Sequence, residues 1–283
     1  MNVVPSGFQD LVQSLQYWRV FTLLGWQRVK GSYRRTVLGD FWVTINKFVH
    51  IAAIGIVFSY IFQSPRVDYI PHLALGIIFW ALIVGNINTS CRIFVMSAGT
   101  IKSVPLPLHI HLMQLYWQNL ILLGHNILLV PGIWWYAGID LDLSMIMAVP
   151  GLLLLQINLA WIGLVLSIVC TRFRDLEQII TNLMQISYFL TPIMWLPERL
   201  LGKVMLPVTW YYWDGDSWIS EAHQLDLIHL NLFYHLMELV RTPLLGKPLD
   251  PVHWQVAIVL ALLGWALAIL LFQRTRSRIV YWL

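Results

Sequence analysis

Two acidic residues and two Gly-Lys pairs are the first places where this sequence could carry out chemistry. Asp214 and Asp216 flank a glycine, the type of carboxylate pair that can hold a metal ion and a sugar nucleotide, although a polar turn is the alternative interpretation. Gly-Lys occurs at 202–203 and 246–247, but neither pair has the upstream glycine or the following Ser or Thr of a phosphate-binding loop. The sequence therefore predicts that this chain does not hydrolyse a nucleotide by itself.

Histidines offer little more for metal chemistry. His223, His229 and His235 are six residues apart, a spacing that does not bring three rings to one helical face, and no HExxH pattern is present. No metal site is predicted. Lys47 and His50 lie in the first long apolar run, where Lys47 can extend its charge to the membrane surface and a transport role for His50 stays open.

Polar side chains form stripes within two of the apolar runs. Steps of three, four and seven residues place one set on a single helical face: His111, Gln114, Gln118 and His125. A second set also shares one helical face: Thr181, Gln185 and Tyr188. Hydrogen bonds between helices and the lining of a hydrated path are both open interpretations, since polar groups facing lipid are unfavourable. Acidic residues occur only at the ends of the runs, which argues against an ion-coupled carrier or channel with a buried carboxylate.

Composition identifies the environment of these residues. The chain of 283 residues is 58% hydrophobic and only 11% charged, which is typical of a polytopic membrane protein. Six apolar runs are each near the ~20 residues that cross a bilayer. They are 41–62, 73–93, 110–136, 143–170, 179–195 and 254–272. We therefore predict an all-α integral membrane protein with six transmembrane helices.

Two further regions complete the predicted architecture. Residues 8–30 have apolar positions at helical spacing with polar residues between them, which predicts an amphipathic helix in the membrane interface or packed on a partner. Between the fifth and sixth runs, 196–253 contains the apolar segments MLPVTWYYW and LIHLNLFYHLMELV, too short to cross. These predict short re-entrant or interfacial helices, a simple outer loop being the alternative. The predicted domains are thus a segment at 1–40 that contains the amphipathic helix and a six-helix transmembrane domain at 41–283.

Charge predicts the orientation. Six crossings place both termini on one side, and that side then holds thirteen of the 18 Lys and Arg residues. They are Arg19, Arg28, Lys30, Arg34, Arg35, Lys47, Arg92, Lys102, Arg172, Arg174, Arg274, Arg276 and Arg278. Because Lys and Arg are enriched in cytoplasmic loops, both termini are predicted to be cytoplasmic. No cleavable signal peptide is expected in the first forty residues.

Three stretches resemble one family in order and spacing. They are YRRTVLGDFW after the basic helix, FRDLEQIITNLMQISYFLTPIMW through the fifth run, and the ending RTRSRIVYWL. They resemble the permease subunit of type-2 ATP-binding-cassette polysaccharide exporters, which move O-antigen, capsule or teichoic acid. Asp40 departs from the small residue or proline expected after Leu-Gly.

That resemblance implies a homodimeric permease of the bacterial inner membrane, bound to two separate ATPase subunits that hold ATP and Mg²⁺. No cofactor is expected in this chain. The implied substrate is a glycan on polyprenyl pyrophosphate, as in lipopolysaccharide biosynthesis. The pyrophosphate and first sugar would contact Lys30, Tyr33, Arg34 and Arg35, with binding of anionic lipid headgroups as the alternative. Two aromatic residues and one glutamine are the candidates that would line the glycan path: Gln185, Tyr188 and Phe189.

Contact with the ATPase is expected on two loops at the cytoplasmic side. The resemblance places a short coupling helix within 97–108, with Thr100, Lys102, Ser103 and Leu106. The second loop would contribute Arg174, Asp175 and Glu177. Two other functions stay open: an integral-membrane glycosyltransferase or lipid-modifying enzyme using Asp214 and Asp216, and an exporter of a different lipid or drug.

Overall fold

The computed structural model describes residues 7–32, 39, 41–197, 205–213, 218–248 and 250–283. Across these residues the chain forms eleven α-helices and one two-stranded sheet. The helices are α1 (Gly7–Gln16), α2 (Trp18–Ser32), α3 (Phe41–Ile61), α4 (Arg66–Met96), α5 (Ala98–Ser103), α6 (Ile110–Ile127), α7 (Val130–Ala137), α8 (Ala148–Arg172), α9 (Leu176–Leu190), α10 (Leu232–Leu244) and α11 (Pro251–Trp282). Short 3₁₀ turns, Leu143–Met147 and Leu227–Leu230, precede α8 and α10.

Five of the helical segments in the described chain are long and apolar enough to cross a membrane. They are Phe41–Ile61, Arg66–Met96, Ile110–Ala137, Leu143–Arg172 and Pro251–Trp282. The predicted fifth run corresponds to α9, which has only 15 residues and ends at Leu190. At about 1.5 Å per residue, α9 is shorter than the ~30 Å hydrocarbon core. The five long apolar segments confirm the prediction of a multi-pass membrane protein. The sixth crossing stays a prediction.

α4 lies at the centre of the bundle. Its residues are buried along most of its length, and it packs against α3, α6, α8, α9 and α10. α3 and α11 are much more exposed and carry large apolar side chains on their outer faces, as expected where lipid or another chain covers them. The central position of α4 does not follow from hydropathy alone, since the segments that contain α8 and α11 are more apolar.

Two ion pairs indicate which helix ends meet. Asp10 of α1 pairs with Arg276 near the end of α11, and Glu177 at the start of α9 pairs with Arg92 near the end of α4. We call this the N-terminal end of the bundle. At the opposite end, Trp134 of α7 donates a hydrogen bond of 2.7 Å to the carbonyl of Leu244, the last residue of α10.

Small residues allow the closest helix contacts. A side chain at Gly264 of α11 would overlap the Trp161 ring of α8, so these helices can pack closely only because position 264 is glycine. On α2, a Cβ at Gly25 would lie 2.9 Å from the Trp117 ring of α6. α2 therefore packs against the bundle.

The predicted helix at 8–30 forms as two helices that meet at Tyr17. Asp10, at 0% exposure, faces the bundle, whereas several apolar side chains of α1 are exposed. The amphipathic pattern is thus present, but the buried contact of α1 is polar. Placement of these helices in the membrane interface stays a prediction.

The segment MLPVTWYYW was predicted as a helix, and that prediction is wrong. It forms strand β1 (Met205–Trp213), paired antiparallel with β2 (Trp218–Asp226), with Met205 opposite Asp226 and Trp213 opposite Trp218. Its aromatic and β-branched residues favour a strand, and short apolar runs do not distinguish the two structures by periodicity alone. The other segment, LIHLNLFYHLMELV, does form a short helix: α10.

Candidate substrate path and coupling surface

The predicted pyrophosphate-binding residues begin with Lys30 in α2. Lys30 lies in the last turn of that helix and is exposed, with its charge near the negative end of the helix dipole. Tyr33, Arg34 and Arg35 lie outside the described residues. The structure therefore places a single member of this set, at the N-terminal end of the bundle.

All three predicted path residues line one open groove. Gln185, Tyr188 and Phe189 of α9 form one side of a groove of about 440 Å³. The other side belongs to α4, which contributes Trp80, Val84 and Asn88.

The aromatic rings in this groove contact one another. Tyr188 lies 5.9 Å from Trp80 and 5.4 Å from Phe189 between ring centroids. Trp80 also makes an edge contact of 5.5 Å with Phe233 of α10. Such a row of rings can hold the apolar face of a sugar by dispersion, weakly enough for movement. We call it the aromatic groove.

Sequence reasoning missed the α4 side of this groove. Trp80, Val84 and Asn88 follow one another at four-residue steps, so they share a helical face. The Asn88 side-chain oxygen is buried and has no hydrogen-bond partner among the described residues. Asn88 lies in a stretch with several other polar residues, so the sequence did not indicate which of them faces α9.

Two residues of α6 bond to neighbouring helices: Asn119 through its side chain, which lies beside the polar stripe, and His125 through its backbone. Asn119 donates a hydrogen bond of 3.0 Å to Asn86 of α4, which in turn donates one of 3.4 Å to Gln156 of α8. The carbonyl of His125 accepts a bond of 2.9 Å from Thr44 of α3. None of these bonds uses one of the four stripe side chains, so both interpretations of the stripe stay open.

A short helix occupies the predicted coupling loop. α5 carries Thr100, Lys102 and Ser103, all exposed, at the N-terminal end of the bundle. Ser103 donates its hydroxyl hydrogen to the Gly99 carbonyl at 2.8 Å, a local bond that leaves the outer face of the helix uncovered. Leu106 follows in the extended stretch between α5 and α6 and is half-buried. We call α5 and the residues up to Leu106, together with the loop before α9, the coupling surface.

The second predicted coupling loop adjoins the start of α9. Arg174 is exposed, Asp175 immediately precedes the helix, and Glu177 lies in its first turn. Glu177 forms an ion pair of 3.8 Å with Arg92, and both side chains are about half exposed. The loop is therefore joined to the end of α4, from which α5 follows directly.

Near that surface lies a cluster that the sequence did not reveal. The Asp10 carboxylate is fully buried and accepts bonds of 3.1 Å from the backbone N–H groups of Leu108 and His109. It also accepts a bond of 2.7 Å from Arg276. We call these contacts the Asp10 clamp. They join α1, the end of the coupling loop and α11, and the carboxylate stabilises the free amides at the start of α6.

A second buried cluster lies at the opposite end. Arg241 pairs with Glu238 one turn earlier in α10, and donates to the carbonyl of Pro192, just after α9. His72 of α4 lies 3.2 Å from the Arg241 guanidinium and 3.0 Å from the same carbonyl. Thr242 adds a bond to Glu238. We call this the Arg241 cluster, and it fixes α10 against α4 and the residues that follow the aromatic groove.

Histidines at the opposite end are close together without forming a recognisable metal site. His235 Nδ1 lies 2.9 Å from His253 Nδ1, and its Nε2 lies 2.8 Å from the His229 carbonyl. Within the part of the chain that the structure describes, no group of three or more His, Cys, Asp or Glu is placed to hold a metal ion. Asp214 and Asp216 lie outside the described residues.

Most of this chain matches a known protein family. The sequence profile of a protein family described as ABC-2 type transporter matches residues 19–213, from α2 to the end of β1. That stretch contains α4, α5 and α9, and hence the aromatic groove and the coupling surface. No curated protein matches the chain.

Proposed function

The chain belongs to the ABC-2 type transporter family, whose members are membrane components of transporters, and we propose that it is the permease of a lipid-linked polysaccharide exporter. Its substrate in this proposal is an O-antigen-type glycan on polyprenyl pyrophosphate. Family membership implies ATP-binding-cassette subunits as partners, because these supply the ATP hydrolysis. The roles of individual residues, the orientation in the membrane and the second copy of the chain also belong to this proposal.

The observation that carries the glycan assignment is the aromatic groove. Tyr188 and Phe189 present half-exposed and exposed rings beside Trp80, and Gln185 adds an amide. A sugar ring has apolar C–H faces and hydroxyl edges, so rings and amides together suit it better than they suit an apolar drug. The groove lies along α9, which starts at the coupling surface and ends at the Arg241 cluster.

The carrier pyrophosphate would bind at the basic segment after α2. Lys30, Arg34 and Arg35 would supply the cations, and Tyr33 would stack on the first sugar. In this proposal the N-terminal end of the bundle is cytoplasmic, with both termini on that side of the bacterial inner membrane. A second copy would pack against this chain, and the exposed apolar surface of α3 offers room for such a contact.

Coupling to the ATPase would use α5 and the loop before α9. Movement of α5 would be transmitted along α4, and movement of the second loop along α9, so both walls of the aromatic groove would respond. Thr100, Lys102, Ser103 and Leu106 form the first contact in this proposal. Arg174, Asp175 and Glu177 form the second.

The substrate assignment is tested by replacing aromatic rings of the groove. Tyr188→Leu keeps apolar bulk but removes the ring face, and should lower export of the glycan by about fivefold without reducing the amount of folded protein. Trp135→Leu is the matched control, because Trp135 is 87% exposed and lies outside the aromatic groove. The readout is lipid-linked glycan retained on the cytoplasmic side of native cells. Equal retention in both variants would count against the glycan path.

The partner assignment has its own test. Tagged chain purified from native cells should bring down a stoichiometric ATPase subunit, and Lys102→Glu should weaken that association at unchanged expression. Asp142→Asn, at an exposed turn of the opposite end, is the control. A chain that purifies alone and converts a sugar nucleotide in a chelator-sensitive reaction would instead favour an enzyme that uses Asp214 and Asp216.

A further inference from the structure

A second groove runs beneath α1, between α6, α8 and α11, and is separate from the aromatic groove. Its volume is about 510 Å³, and its α1 wall consists of apolar side chains that include Phe8, Val12 and Leu15. These three side chains are 55%, 42% and 58% exposed, so the apolar side of α1 is left uncovered by the described chain. We call this the α1 groove.

The length of the α1 groove matches one membrane leaflet. Along α6 its lining runs from His109 to Leu120, which at about 1.5 Å per residue is roughly 16 Å. Half of a hydrocarbon core of ~30 Å is about 15 Å. The groove therefore begins under α1, at the N-terminal end of the bundle, and reaches about the middle of the bilayer.

One polar side chain in this lining has unsatisfied hydrogen-bonding capacity. His109 is fully buried, and neither of its ring nitrogens has a hydrogen-bond partner among the described residues. Its ring makes only an edge contact of 6.5 Å with Trp265, which also lines the groove. The other polar groups nearby are occupied: Tyr116 donates to the Ala160 carbonyl, and Gln156 accepts from Asn86.

Burial keeps this imidazole neutral. It lowers the pKa of His109 to about 3, so at neutral pH one ring nitrogen carries a hydrogen and the other accepts. A buried donor without a partner is unfavourable. The α1 groove thus combines an apolar channel of leaflet length with a neutral hydrogen-bond donor at its interfacial end.

We propose that the α1 groove holds one acyl chain of a glycerophospholipid, whose ester carbonyl accepts a hydrogen bond from His109. Because both ring nitrogens are buried, the imidazole turns towards the groove to make this bond. An ester carbonyl lies at the boundary of headgroups and acyl chains, the depth at which an interfacial amphipathic helix lies. A polyprenyl chain has no such carbonyl. The lipid completes the packing of α1, whose position also depends on the Asp10 clamp.

The test measures lipid retained by the full-length chain. Native mass spectrometry after purification in mild detergent should show about one phospholipid bound tightly per chain. Val12→Trp fills the groove from α1 and should weaken retention of added dioleoyl phosphatidylglycerol by about tenfold. Leu263→Trp, on the exposed surface of α11 and outside the groove, is the matched control and should retain lipid like the unmodified protein.

His109→Phe keeps the ring but removes both nitrogens, and should weaken retention by about fivefold. If Val12→Trp folds poorly, Leu153→Trp fills the groove from its α8 side. Lipid extraction identifies the occupant, so a polyprenyl phosphate found in place of phospholipid would overturn the proposal. Equal retention by the groove variants and Leu263→Trp would overturn it as well. None of these readouts depends on glycan export, which keeps this test separate from that of the proposed function.

Discussion

The Asp10 clamp and the Arg241 cluster are both buried ion pairs, but they are built in different ways. Arg241 and Glu238 are three residues apart on one helix, whereas Asp10 and Arg276 are separated by 266 residues. Pairs three apart on a helix are neighbours as soon as the helix forms. The Asp10 pair exists only once α1, α6 and α11 have packed together.

This difference indicates what each cluster holds in place. The Asp10 clamp bonds directly to the amides of Leu108 and His109, where the coupling loop enters α6. The Arg241 cluster instead bonds to the Pro192 carbonyl, beyond the aromatic groove. We expect the first cluster to determine how loop movements reach the bundle, and the second to determine the shape of the opposite end.

Breaking the Arg241 cluster should have the largest effect on stability. Arg241→Met leaves Glu238 buried without its cation and should lower the free energy of unfolding by about 3–5 kcal/mol. Thermal unfolding of the detergent-purified chain measures this change. The double variant Arg241→Met with Glu238→Leu should recover most of the loss, because no unpaired charge remains. Equal losses in the single and double variants would contradict a role for the buried charge.

Breaking the Asp10 clamp should cost less overall but act over a longer distance. Asp10→Asn keeps the shape of the side chain and removes its charge, which should cost about 2–3 kcal/mol because Arg276 is partly exposed. Hydrogen exchange should accelerate in two segments remote in sequence, α1 and 104–112. The control Asp142→Asn affects an exposed cap and should leave both segments unchanged. Acceleration confined to α1 would show that the loop is held by other contacts.

Removing the cap at the start of α10 should have an intermediate effect on stability. Asn231 accepts bonds from the amides of Phe233 and Tyr234, and donates one of 2.9 Å to Thr191. Asn231→Ala should therefore cost about 1–2 kcal/mol, the typical range for a lost cap. Asn231→Asp preserves the cap but loses the donor to Thr191, so its smaller cost isolates the contact between α10 and the end of α9. Thermal unfolding separates the two variants.

The smallest effect is expected for the exposed pair of Arg92 and Glu177. At 3.8 Å and about half exposure, it should contribute no more than about 1 kcal/mol, and less at high salt. A double-mutant cycle with Arg92→Gln and Glu177→Gln measures it. A coupling energy as large as that of the Arg241 cluster would show that burial does not determine how much each ion pair contributes to stability.

Sequence patterns predicted the membrane-spanning helices well because hydropathy is a local property. Five of the six predicted runs appear as long apolar helices, while the run at 179–195 forms the shorter α9. The pairing of β1 with β2 was missed although the sequence Asp214-Gly215 between two apolar segments is a typical hairpin turn signal. The segment that forms β1 was interpreted as a re-entrant or interfacial helix because it is apolar and too short to cross a bilayer.

For the candidate sites, helical periodicity was enough to predict which residues share a face. Gln185 and Tyr188 of the aromatic groove follow from helical periodicity alone, and Phe189 from its aromatic character in the resemblance. The packed helices were needed to show which residues contact them: Trp80 lies across the groove from α9, and Arg276 bonds to Asp10. Every apolar helix of this chain could pack against several others with similar hydrophobic gain. The choice of neighbour therefore depends on side-chain fit and on a few buried polar contacts between residues far apart in sequence.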